Sequence, residues 1–251
     1  MTPYYQDGDV TLYHGDNAEI LPSLAAAGLA VDVCVTDPPY GETSLSWDRW
    51  PKGWPALVAE VTSSLWCFGS MRMFLDQRDE FAAWRLAQDV VWDKGTGISL
   101  TTDRFMRTHE YALHFYAGTR WSEIYAATPR ERVPGGRSAT TRKTEAAATF
   151  GARNGGSWVD DGTRIRRSVI PVSRPASGRH PTEKPTGILD PLIAYSCPPG
   201  GTVLDLFAGS GSTLDAARCS GRKAIGIEQS EAYCEVIATR LSQGSLFGGA
   251  A

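Results

Sequence analysis

Four consecutive residues, Asp37, Pro38, Pro39 and Tyr40, place a carboxylate, two rigid prolines and an aromatic ring just past the apolar run Val33-Cys34-Val35 and Thr36. Two prolines in a row forbid a helix and cannot continue a central sheet ladder, so the backbone stiffens where a buried strand surfaces. This set suits a planar exocyclic amine, whose lone pair is delocalised into a ring and whose nitrogen is therefore a poor nucleophile. The Asp37 carboxylate and the Pro38 carbonyl are acceptors for its N–H bonds, and the diproline fixes the direction of that carbonyl. The Tyr40 ring offers a face on which a base can stack. Methyl transfer to such a nitrogen is an in-line displacement governed by positioning and electrostatics. The alternative reading is a turn that only stops a strand.

A second stretch, D-L-F-A-G-S-G-S-T-L over residues 205–214, lies between an apolar run and a helical pattern. Gly209 and Gly211 let the backbone pass close to a ligand and present N–H groups at a helix N-terminus. Glu228 ends the next apolar run, 19 residues after Gly209, where a Rossmann-like fold puts the acid that holds ribose hydroxyls. A dinucleotide fingerprint needs a third glycine where this chain has Leu214. The acid before the loop, Asp205, suits a cationic ligand better than a pyrophosphate. S-adenosylmethionine has that character, with an adenosine, a sulfonium, an ammonium and no phosphate. A tight strand-to-helix turn without a ligand is the alternative.

The elements that must carry these motifs follow from periodicity. Residues 10–14, 31–35, 65–68, 90–92 and 111–116 read as strands. Residues 17–27 (with Asn17 as N-cap), 54–61 and 79–87 read as helices. This alternation predicts an α/β parallel sheet. Periodicity is lost over residues 119–179, then returns. Pro185 opens a helix to residue 195, 203–207 and 224–228 are strands, and 212–219 and 231–241 are helices, the last capped by Ser230. If the strand at 31–35 lies beside that at 203–207, both motifs face one crevice at the carboxyl ends of the sheet. The expected architecture is a Rossmann-like α/β sheet with helices on both faces and an insertion. Its parts are a catalytic half (1–118), the insertion (119–179), a cofactor half (180–242) and a flexible tail (243–251).

Charge is unevenly placed. The 251-residue chain has net charge −3, yet residues 119–180 hold twelve Lys and Arg against five Asp and Glu, a balance of +7 on a body of −10. A basic segment on an acidic body points to a localised polyanion contact. Arg130, Arg132, Arg137, Arg142, Lys143, Arg164, Arg166 and Arg167 are its candidate phosphate or base-edge contacts, against the alternative of a solvated basic face. The five cysteines are scattered, with no C-x-x-C pair and no Cys/His cluster of zinc spacing, so no metal site is expected. The N-terminus lacks a signal pattern and no apolar run approaches a membrane span, so a cytoplasmic protein without membrane contact is expected.

The combination resembles the amino-group DNA methyltransferases, the N6-adenine and N4-cytosine enzymes. T-D-P-P-Y-G matches their catalytic motif and D-L-F-A-G-S-G-S-T their cofactor motif. H-P-T-E-K-P, from His180 to Pro185, is similar to the segment lining the methionine pocket. L-Y-H-G-D, ending at Asp16, resembles the strand end that contacts the cofactor adenine. R-T-H-E-Y-A-L-H-F-Y, beginning at Arg107, resembles the target-base hairpin. The order, catalytic motif first and cofactor motif last, resembles the permuted beta arrangement, with the recognition region between them.

The resemblance implies a site-specific enzyme that flips a base from double-stranded DNA and methylates it from S-adenosylmethionine. It implies that Asp37, Pro38, Pro39 and Tyr40 are catalytic, with Asp37 also beside the cofactor. It assigns the cofactor pocket to Asp205, Phe207, Ala208, Gly209, Gly211 and Thr213, the ribose to Glu228, the adenine to Asp16, and the methionine to Thr182 and Lys184. An acid at Asp37 usually signals adenine N6, since N4-cytosine members more often carry serine there; the alternatives are cytosine N4 and, more distantly, an RNA or protein amino-group methyltransferase or an inactive DNA-binding relative. His109 and Glu110 are candidates to approach the target base, or else form a strand-end pair. Trp66 and Trp92, inside apolar runs, are expected in the core. Trp47 and Trp50 sit on a loop that closes over the base or simply packs. Q-G-S-L-F, from Gln243 to Phe247, resembles a sliding-clamp peptide with glycine in place of leucine, against a frayed end that packs on the body. Monomer and homodimer both stay open.

Overall fold

The structure is a computed structural model and describes residues 1–95, 103, 105–132, 162–173 and 183–245. In chain order its first elements are β1 (Tyr5–Gln6), β2 (Val10–His14), α1 (Asn17–Ala26), β3 (Val33–Thr36), α2 (Trp54–Val58), β4 (Ser64–Gly69) and α3 (Met71–Asp76). A 3-10 turn at Arg78–Phe81 leads to the hairpin of β5 (Arg85–Asp93) and β6 (His109–Tyr116). β7 (Arg130–Arg132), β8 (Thr163–Ile165) and β9 (Val169–Pro171) come next. The chain then returns through α4 (Thr186–Ser196), β10 (Thr202–Asp205), α5 (Ser212–Cys219), β11 (Lys223–Glu228) and α6 (Glu231–Ser245).

Among the described residues, nine strands form one sheet in the order β1-β2-β11-β10-β3-β4-β6-β5-β9. β2, β11, β10, β3 and β4 run parallel, while β6 is antiparallel to both β4 and β5. Every residue of β3 and β4 is buried, as expected when helices cover both faces. Side chains alternate between the two faces with period two. Val33 and Val35, with Trp66, Phe68 and Val203, pack under α4, α5 and α6. Cys34, Leu65, Cys67 and Leu204 pack against α1, α2 and α3. Trp66 and Trp92 are core residues, each 1% exposed. The His114 ring stacks on Trp66 at 4.3 Å, and burial pushes its pKa down to about 3, so it is a neutral packing group and no acid–base catalyst.

Several expectations change. The predicted helix over residues 79–87 is instead the 3-10 turn followed by β5, because eight residues of β5 find partners on β6, three of them also on β9. Pairing overrides the helix-forming letters of Arg85-Leu86-Ala87-Gln88. The helix lies earlier, at α3, where the Ser70 hydroxyl accepts from the Met73 N–H at 3.0 Å. Asp16, and not Asn17, caps α1, with Oδ1 accepting from Ala18 N at 2.9 Å. α6 runs on to Ser245, so the predicted tail from 243 begins inside a helix. Gln243 is therefore helical, and Leu246 and Phe247 lie outside the described residues.

The insertion is also narrower than residues 119–179. Residues Thr128–Arg167 form a separate compact unit, in which β7 and β8 pair as an antiparallel ribbon. β9 belongs to the main sheet, where Ile170 is buried and the Trp92 indole N–H donates to the Val172 carbonyl at 2.8 Å.

Candidate active site at the switch point of the sheet

From β3 the chain moves to β4 on one side, and from β10 it moves to β11 on the other, so strand order reverses between β3 and β10. Such a switch point leaves a crevice outside the carboxyl ends of the strands. The two motifs read from the sequence sit there. β3 ends at Thr36 and β10 at Asp205, and the Thr36 hydroxyl donates to Asp205 Oδ1 at 2.8 Å. Asp205 also accepts from Phe207 N at 3.1 Å and from the Thr213 hydroxyl. Burial pushes the Asp205 carboxyl up to about 6 despite these bonds. Asp205 and Thr213 therefore act first as the joint that ties the glycine loop to the β3 tip.

Asp37 is the next residue after β3. The Tyr40 hydroxyl donates to its Oδ1 at 2.5 Å, and the Lys184 ammonium donates to its Oδ2. Lys184 stands just before α4, and its ammonium lies 5.2 Å from the Phe68 ring centroid and 5.9 Å from that of Trp92. It also reaches Glu110 Oε2 at 3.4 Å, while Glu110 Oε1 pairs with Lys94. Burial and the Glu110 charge work against the Asp37 charge, the Lys184 ammonium works for it, and the carboxyl stays above its usual range. Burial likewise opposes ionisation of Glu110, but Lys184 and Lys94 outweigh it and bring that carboxyl down to about 2. Burial and Asp37 push the Tyr40 phenol well above its usual range, so it remains a donor.

Behind Tyr40, the buried Asp48 carboxylate accepts from Gly41 N at 2.8 Å, and from Thr43 N and the Thr43 hydroxyl at 2.7 Å each. It fixes the turn that leaves the Asp37–Tyr40 stretch. Further along this loop Trp47 is exposed, while Trp50 packs on Trp54 and Phe81.

On the cofactor side, both Glu228 oxygens are held by backbone donors, Gly209 N at 2.7 Å and Ser230 N at 2.8 Å. Gly209 and Gly211 have φ of +51° and +77°, a region that favours glycine. Asp16 stands at the tip of β2, the strand beside β11, and Gly15 N donates to the Glu228 carbonyl at 2.9 Å. Ala208 is buried, and the half-buried Phe207 meets Trp54 edge-on at 5.7 Å. Arg240 on α6 clamps the loop from behind, donating to Glu183 Oε1 at 2.8 Å, Asp215 Oδ2 at 3.2 Å and the Ser210 carbonyl at 3.2 Å.

The donor set fits S-adenosylmethionine. Carboxylates at adjacent strand tips are acceptors for hydroxyl and amine donors, the loop residues 205–212 carry no Lys or Arg for a pyrophosphate, and Arg240 is already spent on Glu183 and Asp215.

The other assignments divide. Glu110 is enclosed between two lysines, Lys94 and Lys184. His109 is half-buried and edge-on to Tyr111 at 5.2 Å. Arg130 and Arg132 on β7, Arg164 on β8, and Arg167 are exposed, and Arg166 is half-buried. Thr182, Arg137, Arg142 and Lys143 lie outside the described residues. Lys94, Asp48 and Arg240 escape a reading of the sequence, because each acts on a partner distant in the chain or on backbone groups. Among the described residues, no group of His, Cys, Asp and Glu could hold a metal ion, and no helix is long and apolar enough to cross a membrane.

The profile of the family described as DNA methylase, for N6 and N4 methyltransferases, matches residues 31–240. This chain belongs to that family. The methylase is 27% identical to the type II methyltransferase M.ScaI of Streptomyces caespitosus, over 95% of its own length and 83% of the relative's. Its fold is similar to M1.HpyAVI solved as a SAM complex, with TM-score 0.63, 21% identity, and coverage of 92% of this chain and 98% of that one. It is equally similar to the PvuII DNA methyltransferase, described as cytosine-N4-specific, with TM-score 0.62, 16% identity, and coverage of 99% and 90%. At these identities the two structures speak to the fold alone. The matched span of the methylase starts just before β3 and ends in α6 at Arg240, so it encloses both the Asp37 motif and the glycine loop.

Proposed function

We propose that the methylase transfers a methyl group from S-adenosylmethionine to the N6 amine of an adenine flipped out of double-stranded DNA. The observation that carries this reading is the Asp37 carboxylate, fixed by Tyr40 and Lys184 at the β3 tip beside the glycine loop of β10. Bound S-adenosylmethionine supplies an electrophilic methyl group on a sulfonium. Glu228 would hold its ribose, Asp16 its adenine, and the turn from Phe207 to Gly211 its flank. Asp37 and the Pro38 carbonyl accept the amine N–H bonds and draw its lone pair out of conjugation. Asp37 needs no proton before attack, because the amine proton can leave after the methyl arrives. The Tyr40 ring supports the base. The exposed arginines of the Thr128–Arg167 unit supply candidate phosphate contacts.

The family covers both amines, so cytosine N4 is the second reading. Fold likeness does not choose between the two bases, and the acid at position 37 is what favours adenine. The test uses the purified protein, methyl-labelled S-adenosylmethionine and unmethylated duplex DNA, followed by digestion to nucleosides. N6-methyladenine is expected. N4-methylcytosine would replace the base assignment, and absence of label would remove the activity.

A prediction follows for Tyr40. Base stacking on an aromatic ring is worth about 1–3 kcal/mol, so Tyr40→Ala should lower kcat/KM on DNA by roughly 10- to 100-fold. Tyr40→Phe keeps the ring, loses only the bond to Asp37, and should fall less. Steady-state rates at varied DNA concentration decide it, and equal losses in both variants would remove stacking as the role.

A further inference from the structure

Lys184 bridges two carboxylates, Asp37 beyond β3 and Glu110 near the start of β6, and Glu110 holds Lys94 on its other oxygen. The four charges alternate in sign, with side-chain exposures of 21% for Asp37, 8% for Lys184, 14% for Glu110 and 10% for Lys94. Trp92 lies beneath both ammonium groups, 5.2 Å from Lys94 and 5.9 Å from Lys184. A buried chain of charges is a poor stabiliser, since apolar side chains of similar volume often do as well or better. A lysine ammonium is also a compact point charge on a flexible stem, so one carboxylate does not fix where it stands. The second carboxylate does.

We infer that Glu110 is a positioning residue for methyl transfer: acting through Lys184, and with Lys94 as its own counter-charge, it holds the Asp37 carboxylate aimed. The inference rests on the amine methylation proposed above and deepens it. Glu110 reaches Asp37 through the Lys184 ammonium. It acts one charge removed, from β6, whereas the resemblance placed Lys184 only in the methionine pocket.

A pH signature follows from the surroundings of Lys184. It faces Asp37 and Tyr40 from the β3 tip, Cys67 from β4, Lys94 from the end of β5 and Glu110 from β6, with Asp205 of β10 beyond Asp37. Burial pulls the Lys184 pKa down, and Asp37 and Glu110 together carry it above its usual value. Removing Glu110 leaves one of these two supports, so Lys184 loses its proton at lower pH. Asp37 then loses the cation that aims its carboxylate, and its placement as an acceptor is lost. The alkaline limb of the transfer rate must therefore move to lower pH.

The test compares the full-length wild type with Glu110→Gln and Glu110→Asp. Single-turnover methylation of unmethylated duplex is followed across pH at saturating S-adenosylmethionine, and cofactor affinity is measured by equilibrium dialysis. Glu110→Gln should slow transfer by about 10- to 100-fold, the cost of a small misplacement of a reacting group. Its alkaline limb should shift down, its cofactor affinity should be unchanged, and Glu110→Asp should recover part of the rate. A Gln variant with a pH profile parallel to the wild type overturns the inference, even if it is slower. So does a loss of cofactor affinity that matches the loss of rate. Should Glu110→Gln fail to fold, Lys94→Met replaces it: Glu110 then loses a counter-charge and titrates higher, and the acid limb should move up. An unmoved acid limb in that variant overturns the inference. An inactive wild type would sink the proposed reaction and this inference together, whereas an active wild type beside an unshifted Gln variant sinks the inference alone.

Discussion

Asp37→Asn should lose methyl transfer by about 10²- to 10³-fold, the usual effect of deleting one aimed electrostatic group, while still binding S-adenosylmethionine. Asparagine keeps the shape of the side chain but presents a weaker, neutral acceptor. It also unbalances the charge chain, leaving Lys184 and Lys94 to share Glu110. Lys184 should then turn toward Glu110, away from the β3 tip. Because Glu110 still compensates it, the fold should persist. The glycine loop and Glu228 are held by their own backbone bonds, so cofactor binding should survive. Single-turnover labelling measures the first effect and equilibrium dialysis the second. Full activity in Asp37→Asn would end the mechanism.

Gly211→Ala should damage both fold and cofactor binding. The glycine has φ +77°, and an added Cβ would lie 3.0 Å from Ile237 Cγ2 and 3.1 Å from Cγ1. A left-handed conformation costs an L-residue about 1–2 kcal/mol, and overpacking a close-packed core costs roughly 1–3 kcal/mol more. At roughly 2–4 °C per kcal/mol for a chain of this size, Tm should fall by about 5–15 °C. Gly221→Ala is the control, because Gly221 has φ +71° with nothing within 4 Å of an added Cβ. It should show the backbone cost alone. Thermal unfolding of both variants separates the two terms, and equal losses would show that packing against Ile237 contributes nothing.

Much of this site is legible in the sequence because its parts are locally encoded. The centres of β3 and β10 are apolar, their ends are marked by a diproline and by glycines, and each motif is contiguous. Chain order alone also places Asp205, Gly209, Gly211 and Glu228 on one strand–turn–helix–strand unit. What stays hidden depends on meetings across the chain. Lys184 and Asp37 are 147 residues apart, and nothing local to either names the other. Glu110 reads as a strand-end acid until Lys94 is seen on its flank. Residues 79–87 mislead for the opposite reason: their local preference is helical, and only the partner strand β6 makes Arg85–Asp93 extended. Asp16 is legible as a strand-tip acid, but its work as a helix cap depends on one oxygen meeting the Ala18 N–H.

The seams of the compact unit Thr128–Arg167 carry a consequence for how such a chain diversifies. Just before it, Ala127 N donates to the Tyr195 carbonyl at 2.8 Å, and just after it the Ser168 carbonyl accepts from Val91 N at 2.8 Å. Both points of departure are thus pinned to α4 and to β5, and each bond described around Asp37 comes from outside the unit. The segment is bounded like a cassette. Exchange of 128–167 for a foreign stretch would preserve the pinned stumps, so a lineage can rewrite that stretch without rebuilding the bonds around Asp37.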